Sequence, residues 1–286
     1  MAEATGIDPV QFRGEQRESW NTAASGWQKH SELIDRSAGH ISTRLVELAG
    51  VEPGSRVLDV AAGYGEPSLT AAKAAAPGGS VVATDISAGM LAFGRERAEA
   101  AGIENIEFVE AAMTDLDFPA GSFDAALSRW GIIFDPDGEG AAGIVRGFLK
   151  PGARFAISSW GPPEKVPFLA IPMGTALKAL DVPPPPPGTP GPLSRPTPEA
   201  LGGLLEGGGF SDVRVEEAEV TFQLDSPEQF STFTREMAAP IRKLIEENSS
   251  DPKETWGRIT EAVRGISNED GSVTFKNMVL LASGTA

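Results

Sequence analysis

Apolar and polar positions along the chain switch between two periods. Short runs rich in apolar residues predict strands at 56–60, 80–84, 106–110, 123–128 and 155–159. Between them lie helix-forming stretches. One begins near Glu66 and holds Leu69, Ala71, Ala72, Ala74, Ala75 and Ala76, a second runs from about 88 to 101, and a third from 140 to 149. Pro67 falls in the first turn of the first helix, where its missing N–H is not needed. The run Lys150, Pro151, Gly152, Ala153, Arg154 predicts a helix-ending turn into the fifth strand. Strands alternating with helices predict parallel βαβ units.

Beyond residue 160 the pattern changes. Residues 160–198 are dense in proline, with five in a row at 183–187 that favour an extended polyproline connector, around a short helix near 168–180. A helix at 198–206, closed by Gly207, Gly208 and Gly209, precedes a long strand at 213–224. Phe230, Phe233, Met237, Ile241, Leu244 and Ile245 then recur at helical spacing, and Trp256, Ile259 and Val263 repeat the pattern in a second helix. The closing strand, 273–282, is expected to pair antiparallel with 213–224, the helices being an excursion from their connection. At the other end, Trp20 and Trp27 lie seven residues apart and share one face of a helical arm. The chain thus divides into an arm or lid (1–50), a nucleotide-binding core (51–160), a proline-rich segment (161–198), the rest of the sheet (199–225 with 270–286) and a helical cap (226–269).

Composition narrows the classes of function. A chain of 286 residues, 41% hydrophobic, can bury one large core or a domain with a sizeable insertion. No apolar run approaches 18 residues and no secretory leader opens the chain, which predicts a cytoplasmic protein without a membrane span. The absence of cysteine removes disulfides, thiolate metal sites and a cysteine nucleophile. A formal charge of −16 without a Lys/Arg cluster argues against nucleic acid and for a small, neutral or cationic substrate. A homodimer is compatible with all of this.

The chemistry concentrates at VLDVAAGYGEPSLT, residues 57–70. Here an apolar strand carrying Asp59 feeds Ala61, Ala62, Gly63, Tyr64 and Gly65 before a helix, and small residues let a ligand approach the backbone. About 20 residues on, the second strand ends in Asp85, where a carboxylate can accept both ribose hydroxyls. Up to this point any Rossmann-like nucleotide site would fit.

The motifs together resemble class I S-adenosylmethionine-dependent methyltransferases, the broad group with ubiquinone, menaquinone and small natural-product enzymes. VLDVAAGYG resembles the first motif, VVATDIS the second, and LKPGARFAISSW the turn and strand after the fourth helix, a block covering roughly 55–160. The resemblance implies a doubly wound α/β sheet of order 3-2-1-4-5-7-6 with the seventh strand antiparallel, and S-adenosyl-L-methionine as cofactor. It implies cofactor contacts from Asp59, Ala61, Gly63, Gly65, Asp85, Ile86, Met90 and Ser128. Ala61 replaces a glycine of the first motif. Ala112 replaces the third motif's aspartate, which leaves the adenine to the backbone of Ala112 and Met113 or to Asp115.

Methyl transfer from a sulfonium is an in-line displacement, and alignment alone can supply about 7 to 11 kcal/mol. A base is needed when the acceptor is a phenol, a carbon acid or a protonated amine. His30 and His40 are the only histidines. His30 is the candidate catalytic base, against a plain core-edge role, whereas His40 is expected to cap or solvate its helix. Trp27, Arg129, Trp130 and Trp160 are candidate acceptor contacts, with core packing as the alternative for Trp27 and Trp160; Arg129 either holds an anionic group or pairs with Asp135 or another acid. Asp135, Asp137 and Glu139 read as a solvated turn rather than a magnesium site, and no metal is expected. Two rivals stand beside methyl transfer. One is an NAD(P)-dependent oxidoreductase, which Asp85 would serve equally but which lacks a Tyr-x-x-x-Lys pair, Tyr64 being the only tyrosine. The other is a protein that binds S-adenosylmethionine without transferring methyl.

Overall fold

Seven strands form one sheet in the order β3-β2-β1-β4-β5-β7-β6. The computed structural model describes residues 8–186 and 188–286; residues 1–7 of the arm, and Pro187 of the proline run, lie outside the described residues. β1 (Arg56–Val60), β2 (Ser80–Asp85), β3 (Ile106–Glu110), β4 (Phe123–Arg129) and β5 (Leu149–Trp160) pair in parallel. β7 (Val273–Thr285) is antiparallel both to β5 and to β6 (Ser211–Leu224). Order and direction are those the resemblance implies.

Alternation along the strands explains the layers. Val57, Val81, Ala125 and Leu127 face one side, against α1 (Pro9–Leu48), α2 (Ser68–Ala75) and α3 (Ala88–Ala100). Leu58, Val60, Val82 and Ala126 face the other, against α4 (Gly138–Phe148) and α6 (Pro198–Gly207). A sheet buried on both faces gives the near-continuous apolar runs seen in the sequence.

Several details depart from expectation. The turn foreseen at 150–154 is absorbed into β5 as an irregularity: Phe123 pairs with Leu149 but Ala125 with Arg154, and Gly152 takes φ +83°. The first helix starts at Ser68 rather than near Glu66. The apolar repeat from Phe230 to Ile245 is broken into α7 (Pro227–Met237) and α8 (Ala239–Asn248), because Pro240 in the first turn of α8 supplies no N–H to continue α7. α5 (Pro167–Leu180), from the proline-rich segment, packs with α8 and α9 (Pro252–Arg264), so it is part of the cap. Residues 183–186 are exposed and without regular structure.

The arm is one 40-residue helix, begun by Asp8, whose carboxylate accepts from the N–H groups of Val10 and Gln11. Its second half buries Ile34, Ala38, Ile41 and Leu45, one apolar stripe laid on the sheet. Its first half buries little. Among the described residues no helix is long and apolar enough to cross a membrane.

Candidate cofactor and acceptor site

The turn after β1 is shaped by its backbone. Ala61, Gly63 and Gly65 have φ of 56°, 54° and 101°, the left-handed region where glycine is at ease and alanine is strained. The Ala61 methyl, which stands where the family has glycine, is accommodated by Gly131 at the tip of β4: a Cβ on Gly131 would overlap both that methyl and the Ser128 hydroxyl. The methyl present at Ala61 is therefore matched in space by the one absent at Gly131.

Two carboxylates flank this turn. Asp85, buried at the end of β2, accepts from Gly63 N and Ser87 N, both at 2.8 Å, which ties the second motif to the first. Each of its oxygens retains a lone pair for a further donor. Burial pushes its carboxyl up to about 6. Asp59 is wholly buried; Oδ2 accepts from Ser68 Oγ at 2.5 Å, while Oδ1 has no partner among the described residues. Burial pushes Asp59 up to about 7, against the smaller opposing effect of the Ser68 hydrogen bond. Met90 and Ala112 are buried, Met90 with its methyl beside Gly63. Met113 is half-buried in a 3-10 turn, and Asp115 is exposed at its end.

The first half of α1 crosses the carboxyl ends of the strands, where open α/β sheets bind ligands. Arg17 Nε donates to the Ile86 carbonyl at 3.4 Å. Asn21 Oδ1 accepts from Ser87 Oγ at 2.7 Å and Gly89 N at 3.1 Å. On the far side Arg13 makes a two-point pair with Asp135, both contacts 3.2 Å, and Trp20 meets Phe134 edge-on at 5.2 Å. The supposed solvated turn is thereby corrected. Asp135 is buried under α1, Asp137 caps α4 through Gly140 N, and Glu139 lies 3.8 Å from Arg195. Asp135 therefore holds Arg13 and not Arg129.

Arg129, buried at the end of β4, donates to Ser42 Oγ (2.9 Å) and Tyr64 Oη (2.8 Å). Tyr64 in turn donates to Asp35 at 3.0 Å, and Asp35 pairs with Arg97. Burial pushes the Tyr64 phenol up to about 12, so it stays protonated and can donate. Trp27 lies against Tyr64 at 5.4 Å, and Trp130 stacks on Trp160 at 4.5 Å, the planes 5° apart. Trp130 itself sits at φ +54°, an unfavourable backbone for a bulky residue.

His30 is placed elsewhere. Its Nε2 lies 2.6 Å from Glu236 on α7, and its ring 4.8 Å from Phe233, so it joins the arm to the cap rather than to the glycine turn. Lys29, also on Glu236, holds that carboxyl below the usual range, with His30 adding to the effect. His40 lies inside α1, 2.9 Å from the Glu219 carbonyl, and fastens the helix to β6 instead of capping it. Sequence reasoning gave Tyr64, Asp35, Ser42, Asn21, Arg13 and Glu236 no role at the site. Only Tyr64, an aromatic inside a turn of small residues, carried a local signal.

Residues 57–152 match the methyltransferase-domain family. A demethylmenaquinone methyltransferase of Thermus thermophilus is 40% identical over 122 residues, 43% of this chain and 54% of that enzyme, so the chain spans about half the length of the curated relative it matches. Phosphoethanolamine N-methyltransferase 2 of Haemonchus contortus, solved with S-adenosyl-L-methionine, superposes with a TM-score of 0.57 at 18% identity, over 96% of this chain and 60% of that one. The 4+2 cyclase SpnF superposes at 0.54 with 15% identity, over 91% and 93%. Residues 57–152 are thus similar to a methyltransferase domain, and the sheet has the strand order that the resemblance to class I S-adenosylmethionine-dependent methyltransferases implies.

Proposed function

We propose that the protein methylates a small organic acceptor, quinone-like or natural-product-like, with S-adenosyl-L-methionine as donor. The observation that carries this reading is the turn itself: left-handed Gly63 and Gly65 between Asp85 and the unpartnered Oδ1 of buried Asp59. A buried carboxylate oxygen without a donor suits a ligand that brings an ammonium group, and the Asp85 oxygens suit ribose hydroxyls. When bound, S-adenosylmethionine supplies an electrophilic methyl on a sulfonium sulfur.

The chain's own residues orient and shield. Asp85 and Asp59 hold the cofactor from two strand ends, with Ile86, Met90, Ala112, Met113 and Ser128 around it. The first half of α1, clamped by Arg13, Arg17 and Asn21, excludes water. Trp27, Arg129, Trp130 and Trp160 orient the acceptor. His30, its Nε2 engaged by Glu236, fastens the arm to the cap. The decisive assay incubates the protein with methyl-labelled donor and a panel of phenols, quinols and amines. Labelled product with stoichiometric S-adenosylhomocysteine supports the proposal; donor binding without transfer to any acceptor favours the second reading, a different reaction at the same site. That second reading is worth keeping because a cyclase shares the fold.

A further inference from the structure

One row of side chains beside the glycine turn is rich in hydrogen-bond donors and poor in acceptors. It runs from Trp27 through Tyr64 and Arg129 to Trp130 and Trp160, each step between 4.5 and 5.4 Å by ring or guanidinium centre. Two of its donors are orphaned. The indole N–H groups of Trp27 and Trp130 are buried and have no acceptor among the described residues. Buried polar groups are nearly always paired in folded proteins, and leaving one unpaired costs roughly 1 to 3 kcal/mol.

The charge in the row is equally exposed to question. Arg129 is 7% accessible, and no carboxylate lies within 4 Å of it among the described residues. Two neutral hydroxyls hold it, while Asp35, Asp59 and Glu66 act on it only from farther away. Five guanidinium N–H groups cannot be satisfied by two hydroxyls, and a buried cation is costly without an anion in contact. Trp130 meanwhile keeps a left-handed backbone that a bulky side chain does not choose, and its ring lies parallel to that of Trp160.

We infer that the acceptor is a planar ring bearing a carboxylate, whose oxygens take the N–H groups of Arg129, Trp130 and Trp27. The inference rests on the methyltransferase reading for the location of the site. It reverses the expectation from net charge. A formal −16 spread over the surface disfavours anions at long range, but a buried guanidinium acts at contact, where screening is least. Small aromatic carboxylic acids are the class defined by this chemistry, and cationic amines are excluded from it.

The test uses the full chain saturated with S-adenosylhomocysteine, titrated with 1-hydroxy-2-naphthoate and with its neutral carboxamide, and read by calorimetry and by indole N–H resonances. The acid should bind at least about tenfold tighter than the amide, as a charge-assisted contact requires. It should also move the Trp27 and Trp130 indole signals while leaving those of Trp20 and Trp256. Arg129→Gln should bring the acid-to-amide ratio close to one and leave S-adenosylhomocysteine affinity unchanged. Trp130→Phe, which keeps a ring and removes only the donor, should weaken the acid several-fold and supplies the test if the Arg129 variant does not fold. Equal binding of acid and amide, or binding of neither, overturns the inference. So does an Arg129→Gln variant that loses affinity for S-adenosylhomocysteine and keeps the acid-to-amide ratio, since the guanidinium would then serve the cofactor's own carboxylate. Failure of S-adenosylhomocysteine to bind the wild type defeats the methyltransferase reading instead.

Discussion

The two halves of the site are built by different means. The cofactor half is made within residues 57–90 by backbone N–H groups, small side chains and two strand-end carboxylates. The proposed acceptor half joins side chains far apart in the chain: Arg129 to Ser42 across 87 residues and to Tyr64 across 65. One half is therefore dictated locally and can serve any enzyme with the same cofactor. The other depends on how the arm and cap pack, and can change its occupant without disturbing the turn.

If the halves are separable, mutations should divide between them. The largest effect is expected at Asp85→Ala, which should weaken S-adenosylhomocysteine by about 2 to 4 kcal/mol, because it removes charge-assisted bonds and also frees the Gly63 and Ser87 N–H groups. Unaltered affinity in calorimetry would sink the ribose assignment.

Gly131→Ala tests the seam between the halves. Its added methyl would collide with Ala61 and Ser128, and should lower stability by about 1 to 3 kcal/mol in chemical denaturation. The double change Ala61→Gly with Gly131→Ala should recover part of that loss, and no recovery would refute the compensation.

Buried Asp59 sets a pH dependence. Its carboxyl is raised to about 7 in the fold, against ~3.9 for a free aspartate, so between those values the native state holds a proton that the unfolded chain has released. That contribution is fully present below about pH 4 and is lost as pH rises through about 7. The slope is at most about 1.4 kcal/mol per pH unit. Asp85 acts in the same direction, so the informative quantity is the difference between wild type and Asp59→Asn, which should show the shallower decline. Parallel stability curves for the two proteins would contradict the assignment. The smallest effect on binding belongs to the arm: Arg13→Ala should speed S-adenosylhomocysteine release a few-fold in stopped flow, because it removes the two-point pair that ties the arm to Asp135. Identical release rates would mean that the arm does not gate the cleft.

How much could be read from the sequence follows the same division. β1, β2 and the acid ending β2 were legible because burial on both faces leaves near-continuous apolar runs and the turn needs glycine at fixed positions. The break between α7 and α8 was obscured because Phe230 to Ile245 keeps helical spacing across Pro240. Asp135 looked solvated because proline and glycine surround it, and only the arm, more than a hundred residues away in sequence, buries it. Tyr64, Asp35 and Ser42 were silent for the same reason: a hydroxyl or carboxylate takes its meaning from Arg129 or Arg97, which folding alone brings near.

The central claim is that the turn from Asp59 to Asp85 holds a methyl-donor nucleoside. Calorimetric titration of the purified protein with S-adenosylhomocysteine, run beside NAD and NADP, tests it without knowledge of the acceptor. Saturable binding of S-adenosylhomocysteine alone is the expected result. Binding of a dinucleotide alone would contradict the account and leave Asp85 as the ribose acceptor of an oxidoreductase.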